Sequence, residues 1–353
     1  MRWALLLRLA FRNLTRNKRR NLISCVAIFA GVFSMVIGDG LIEGIDESVI
    51  RSQETVLGGD IVMRPTGYPT DGRNYPLQKT LSPDSHIKEL LNSKDIQSWT
   101  TRLFFRARII KGSDSIRAKV IAYEKDREAT VFNQNDWFIE GIWPSKDKEV
   151  VVGSNFAALM NLHIGDHIII EAKSKPGALN ALSFSVVGIV NAGNTRADSF
   201  TVWMPLSQAD SFIQSAGARS HISLKLKSGR STASTVANTL SQNGWIAKTA
   251  TEEVSDLLEV NKFRRKAFSF LSLIIMGIAA TGIMNTIIMA TYERITEVGT
   301  LRSMGMKNNE VIGLFLIEAS LLGIFSGLIG GLTGAGLNYV LSIKGIDFSS
   351  QLN

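Results

Sequence analysis

Residues 292–311 read YERITEVGTLRSMGMKNNEV. Three glutamates, two arginines and a lysine sit here between two long apolar runs. The 25 residues before the stretch, Ala267–Thr291, carry no charge, and Ile312–Ile343 carry only Glu318. A hairpin between apolar helices needs only a few polar residues; this segment is long enough for a helix of its own. Ile295, Val298 and Leu301 step by threes, so their apolar arc drifts around a 3.6-residue helix.

Three runs exceed the ~18 residues that mark a transmembrane candidate. They are Asn21–Gly38, continuing past Asp39 to Ile42, then Ala267–Tyr292, then Val311–Ile343. The third is longer than a ~20-residue span requires, so it tilts, breaks or extends beyond the bilayer. The N-terminal segment MRWALLLRLAFRNLTRNKRR holds seven arginines and lysines. Placing that end in the cytoplasm also brings Arg294, Arg302 and Lys307 inside, and leaves the KFRRK cluster (Lys262–Lys266) outside. That cluster is a local violation, outweighed by the seven charges at the first helix. Trp3, Leu6, Leu7, Ala10 and Leu14 fall on one helical face. Both a helix along the inner leaflet and ordinary topogenic charge fit them.

The expected organisation follows. It comprises a basic amphipathic cytoplasmic segment (1–20), transmembrane helix 1 (21–42), a large α+β domain outside the cytoplasm (43–262) and transmembrane helix 2 (263–291). A cytoplasmic helix (292–310), transmembrane helix 3 (311–343) and an external tail (344–353) complete it. In the middle domain RLFFRARII and SIRAKVIAY are β-rich runs separated by KGSD, a hairpin signal. KEVVVG then FAALMNL read as strand then helix, and HIGDHIIIEA as turn then strand. ALSFSVVGIV, FTVWMPL and HISLKLK are further strands, and TASTVANTLSQNG is a helix with a glycine stop. Strands and helices mix without strict alternation, which indicates α+β subdomains. DGRNYPLQKTLSPDSH reads as a surface loop. Phe104, Phe105, Phe138 and Trp143 are read as core, against a lipid-facing groove.

The net charge is +8, and the basic clusters flank apolar runs. Membrane lipid is therefore the expected anionic partner and nucleic acid is not, since aromatics are not interleaved for base stacking. One cysteine, Cys25, excludes an intrachain disulfide and a cysteine zinc site. No Gly-Lys pair occurs, so the P-loop G-x-x-x-x-G-K-[ST] is absent and SGRST (Ser228–Thr232) does not replace it. His163 and His167 in HIGDH are splayed by a Gly165–Asp166 turn, so no metal site is expected. There is no G-x-S-x-G elbow, and Glu252–Glu253 reads as helix surface. No cofactor and no catalytic residue are expected. Polar groups within the apolar runs are costly there, which singles out Asn285 and Glu318. Gly323-xxx-Gly327-xxx-Gly331 and Gly330-xxx-Gly334 are small-xxx-small spacings that permit close helix contact.

The run from Asn285, MNTIIMATYERITEVGTLRSMGMKNNEVIGLFLIEAS, closely resembles the signature of FtsX/MacB-type ABC transporter permeases. Asn285, Thr286 and Met289 match its first part. Glu293, Arg294, Glu297, Val298, Gly299, Leu301, Arg302, Ser303 and Gly305 match the second, and Glu318 the early glutamate of the following helix. GSNFAALMNLHIGDHIII is similar to the family's periplasmic core domain, and the GYP, GIV and D-x-x-x-V-W-M-P stretches to its lipoprotein-releasing (Lol) branch.

The resemblance implies an inner-membrane permease subunit working with a second permease subunit and two ABC ATPase subunits that bind the ATP. The 292–310 segment would be a coupling helix docking on the ATPase. Its expected residues are Glu293, Arg294, Glu297, Gly299, Leu301, Arg302 and Gly305, with Asn285, Glu318, Gly327 and Gly331 packing helices. Motion would pass to the periplasmic domain for lipoprotein release, with a lipoprotein or periplasmic carrier as partner, or for export of another periplasmic or outer-leaflet substrate. The alternative is a membrane-anchored regulator of a periplasmic cell-wall hydrolase; a tethered domain without energy coupling would leave the 292–311 pattern unexplained. Family members carry a fourth span. This sequence reads IKGIDFSSQLN (Ile343–Asn353) after the third, so the fourth family helix is expected to be missing.

Overall fold

A computed structural model describes residues 7–12, 14, 18–69, 74–193, 195–242, 244–293 and 295–344. The tail beyond 344, Trp3, Leu6 and Arg294 lie outside the described residues. In chain order the helices are α1 (Lys18–Ser52), α2 (Ser85–Leu91), α3 (Lys125–Val131), α4 (Ser154–Leu159), α5 (Thr195–Phe200), α6 (Leu206–Ile213), α7 (Arg230–Leu240) and α8 (Ala250–Glu253). Then come α9 (Ser255–Glu293), α10 (Ile295–Ser303) and α11 (Asn308–Lys344). The strands are β1 (Ile61–Pro65), β2 (Ile96–Lys111), β3 (Asp114–Tyr123), β4 (Phe138–Gly141) and β5 (Glu149–Gly153). They continue with β6 (His167–Lys173), β7 (Leu179–Val190), β8 (Thr201–Pro205), β9 (His221–Leu226) and β10 (Trp245–Thr249). Two compact units result: Met1–Glu47 with Leu257–Asn353, and Ser48–Asp256.

The first unit is helical. Asn21–Leu57, Ser255–Gly282 and Asn308–Ile343 are long and apolar enough to cross a membrane. Within their apolar runs, Leu332 and Phe270 are 72% and 65% exposed, as residues facing lipid would be. Contacts along α1 fix the directions of the others. Phe29, Val36 and Gly40 of α1 meet Gly330, Gly334 and Asn338 of α11, so these two helices run parallel. Gly31, Gly38 and Asp46 of α1 meet Met276, Phe268 and Asn261 of α9, so that pair is antiparallel. The start of α1, the end of α9 and the start of α11 therefore share one end, and α10 lies there too.

Asp46 accepts from Asn261 at 2.7 Å and stands 3.8 Å from Arg265. A carboxylate of α1 thus faces the KFRRK cluster, which offsets part of the positive charge that the topology count left outside. At the opposite end, helical residues 7–12 pack on the start of α11. Ala10 is fully buried against Leu314, with Leu9, Met306, Ile317 and Leu321 around them. Of the predicted apolar face, Ala10 is buried in this contact, while Leu7 stays 53% exposed.

The second unit is built on one ten-stranded sheet, in the order β10-β1-β9-β2-β3-β8-β5-β7-β4, with β6 pairing β2 and β7. β2 and β3 form the hairpin expected from KGSD, closing at Lys111 opposite Asp114. Strand alternation divides the apolar residues between faces. Leu103, Phe105, Ala107 and Ile109 enter one core with Val120, Val150, Phe184 and Val202. Phe104, Ile121 and Tyr123 enter another on the opposite face with Trp137, Val151 and Trp203, and Phe138 and Trp143 pack against it. A third cluster under α2 and α7 gathers Ile61, Ile87, Ile222, Leu240 and Trp245. The four aromatics singled out in the sequence are thus core residues. Three short strands, β1, β4 and β10, were not legible: IVMRP ends in proline, FIEG is four residues long, and WIAKT follows a glycine stop.

Within the 71–86 stretch, Leu77–Lys79 form a 3-10 turn that buries Leu77, and Ser85 already begins α2, capped by Asp84. Glu252 and Glu253 are not plain helix surface. Glu252 closes a capping box with Thr249, and Glu253 pairs with Arg64.

Candidate functional site

Within the segment 292–311, α9 runs to Glu293, α10 covers Ile295–Ser303 and α11 starts at Asn308, with Arg294 outside the described residues and a break after Ser303. Gly305 explains the break. It takes φ +94° and donates its N–H to the Arg302 carbonyl at 3.0 Å, a left-handed stop that a side chain would disfavour. Glu310 then accepts from the Lys307 N–H at 2.9 Å, which satisfies one orphan donor at the start of α11.

α10 has little covering it. Gly299 and Arg302 are exposed, and Gly299 and Gly305 have nothing within 4 Å of where a Cβ would stand. Ile295 and Met304 are 61% and 72% exposed. Glu293 ends α9, and Glu297 and Leu301 lie on α10. Asn285 is exposed on α9, and Glu318 is half-buried on α11.

Of the two small-xxx-small spacings, Gly330-xxx-Gly334 is the one that touches α1. A Cβ on Gly330 would stand 2.9 Å from the Phe29 carbonyl oxygen, and one on Gly334 3.0 Å from Val36. Gly327 and Gly331 have nothing within 4 Å. Gly330-xxx-Gly334 is the spacing that meets α1, because those two residues lie on the stripe turned toward it. Asn338 continues this seam, donating to the Val36 carbonyl at 2.8 Å.

The second unit holds polar groups that the sequence did not reveal. Arg102, on β2, and Glu128, on α3, are both fully buried and paired. Arg102 Nε donates to Glu128 at 2.6 Å, and Nη1 donates to the carbonyls of Val56 and Leu57 at 3.1 and 2.7 Å. Thr100 donates to the other Glu128 oxygen at 2.8 Å, and the guanidinium lies 3.8 Å over the Phe132 ring. Burial pulls the Glu128 carboxyl upward, and Arg102 and Thr100 oppose it. Val56 and Leu57 belong to the π-helical turn Gln53–Leu57, so Arg102 ties that turn to the sheet within this unit.

Nearby, Arg64 Nε donates to His221 Nε2 at 2.9 Å, while Nδ1 lies 2.8 Å from Ser220 Oγ. Burial, then Arg64, Lys119 and Arg102, hold the imidazole well below its usual pKa, so it is neutral with its proton on Nδ1. Burial and Arg102 also lower Lys119 to about 8. An arginine inside an apolar strand is the only sequence signal for this network, and nothing in the sequence picks out Glu128. Among the described residues no group of three or more His, Cys, Asp or Glu is placed to hold a metal.

Comparison with known proteins places this arrangement. Residues 269–353 match the FtsX-like permease C-terminal family, and residues 22–240, more than half of the chain, match the MacB-like periplasmic core domain. The chain belongs to the FtsX-like permeases with a MacB-like periplasmic core domain. This permease is 22% identical over 345 residues to the ABC transporter permease MJ1507 of Methanocaldococcus jannaschii, covering 91% of this chain and 80% of the relative. It is 23% identical to the lipoprotein-releasing system transmembrane protein LolE of Haemophilus influenzae, covering 92% and 79%. It is 26% identical to the macrolide export ATP-binding/permease protein MacB of Escherichia coli over 203 residues. That match covers 55% of this chain and spans only 30% of the relative. The periplasmic region of MacB from Actinobacillus actinomycetemcomitans superposes with a TM-score of 0.40 at 16% identity, covering 57% of this chain and 94% of that one.

Proposed function

We propose that this chain is the permease subunit of an ABC transporter complex in the inner membrane, passing the motion of a separate ATPase chain to its MacB-like domain. One observation carries the reading. The helical stretch Ile295–Ser303 (α10) is largely exposed where it is described and lies between two spans, ended by the Gly305 stop, at the end of the helical unit where residues 7–12 pack. Seven basic residues at that end favour the cytoplasm, where an ATPase would be. Glu293, Arg294, Glu297, Leu301 and Arg302 are the docking residues in this reading, and a second permease subunit completes the pair.

The cargo is a lipoprotein released from the membrane, or another substrate taken from the periplasm or outer leaflet. Similarity to LolE over most of the chain supports the first, and similarity to MacB the second. Reversing both charges in Glu297→Arg/Arg302→Glu is expected to abolish co-purification with the ABC ATPase while the protein still inserts in the membrane. Undiminished co-purification would overturn the coupling role.

A further inference from the structure

The outer half of the β2–β3 hairpin carries a grid of positive charge. Register places Arg106 opposite Lys119 and Arg108 opposite Arg117. Directly opposed residues share a face, and alternate residues along a strand return to it. All four therefore lie on one face, with Phe105, Ala107, Ile109, Ala118 and Val120 buried beneath on the other. Arg106, Arg108 and Arg117 are exposed, and the Lys119 amine stands 5.1 Å over the Phe104 ring. On β6, Glu171 is opposite Arg108, and Lys173 repeats on the same face two residues on. Glu171 bonds Arg108 at 2.7 and 3.0 Å. Among the described residues Arg106, Arg117 and Lys119 have neither an ion pair nor a hydrogen-bond acceptor.

Like charges directly opposite each other destabilise a sheet. Here two such pairs stand side by side with one carboxylate among them. The core does not require the three arginines, because uncharged polar residues would fit the exposed positions of Arg106, Arg108 and Arg117, while Lys119 is half-buried at the edge of the grid. The strands are also held rigidly, since β2 and β3 pair through ten residues and β6 and β8 flank them. We propose that this grid is the docking surface for an acidic polypeptide segment in extended conformation. Such a segment repeats alternate side chains every ~6.8 Å. That is also the repeat from Arg106 to Arg108 and from Arg117 to Lys119, so one row of carboxylates meets one row of cations. Guanidinium forks accept carboxylates in bidentate fashion. A lipid surface offers negative charge without a fixed linear repeat. Neither Glu297 nor Arg302 enters, so the surface stands or falls separately from ATPase coupling.

The test uses the full chain in phosphatidylcholine nanodiscs. The probes are a short peptide alternating glutamate with serine, an isomer with the same glutamates in one block, and vesicles containing phosphatidylglycerol. The native chain is expected to prefer the alternating peptide. Arg106→Ser/Arg117→Ser/Lys119→Ser should weaken that binding about tenfold or more. The variant should melt no lower than the native chain, because repulsion is removed; a lower melting temperature would refute the claim that the grid is held at a structural cost. No binding of the alternating peptide, equal binding of the two peptides, or undiminished binding by the variant would overturn the proposal. Loss confined to the anionic vesicles would overturn it too, and assign the face to a membrane.

Discussion

Glu128→Ala should be among the most damaging single substitutions in the Ser48–Asp256 unit. It leaves the Arg102 guanidinium fully buried with no counter-ion, and Thr100 loses its acceptor. Breaking one side of a buried pair costs about 3–5 kcal/mol. The double variant Arg102→Met/Glu128→Leu separates charge from geometry. Replacing a buried pair by apolar residues is often neutral, but here it also orphans the Val56 and Leu57 carbonyls, at about 1–3 kcal/mol for an unsatisfied buried group. With two carbonyls orphaned, the double variant should lose about 2–6 kcal/mol, of the same order as the single but centred on the Gln53–Leu57 turn. Hydrogen exchange of the full chain in nanodiscs reads both effects. Exchange of β2 and β3 amides that open with the whole unit should accelerate about 100-fold to 1,000-fold or more in Glu128→Ala, at roughly tenfold per 1.4 kcal/mol. In the double variant, amides around Gln53–Leu57 should be affected more than the sheet. A loss below about 1 kcal/mol in Glu128→Ala would refute the claim that the buried pair organises this region.

Two further outcomes follow from the geometry. Gly330→Leu would push α11 off α1, because the new Cβ meets the Phe29 backbone, and should cost about 1–3 kcal/mol or more. Gly327→Leu points into open space and should stay within about 0.5 kcal/mol; melting of the detergent-purified protein compares the two. Lys119 binds its proton less readily folded than unfolded, since its pKa falls from 10.5 to about 8. Between those values the unfolded chain holds the extra proton, so folding should become more favourable as pH rises from about 8 to 10.5, with the penalty fully present below about 8. Lys119→Met should flatten that window in a pH series of denaturation midpoints, and an unchanged slope would refute the shift.

The helical unit was largely legible because hydropathy needs only composition along the chain. Charge-free runs marked three spans, and the charged island between two of them marked the α10 region. Gly305 was legible as a signature residue, and its φ supplies the reason. In the second unit the long strands announced themselves by alternation and the KGSD turn, while β1, β4 and β10 were too short to show a period. The small-xxx-small pattern gave two overlapping candidate stripes on one helix. Both satisfy the same local rule, so sequence could not choose Gly330 and Gly334 over Gly327 and Gly331.

Local sequence, then, determined which segments enter lipid, which turn, and where the helix between spans lies, since those depend on neighbours within a few residues. The tertiary structure alone decided which cations are paired. Arg102 reaches Glu128 across 26 positions, Arg64 reaches Glu253 across 189, and Arg106 and Lys119 stand opposite each other with no acid between. Electrostatic cost depends on distance and burial in space, and neither is written in the order of the residues.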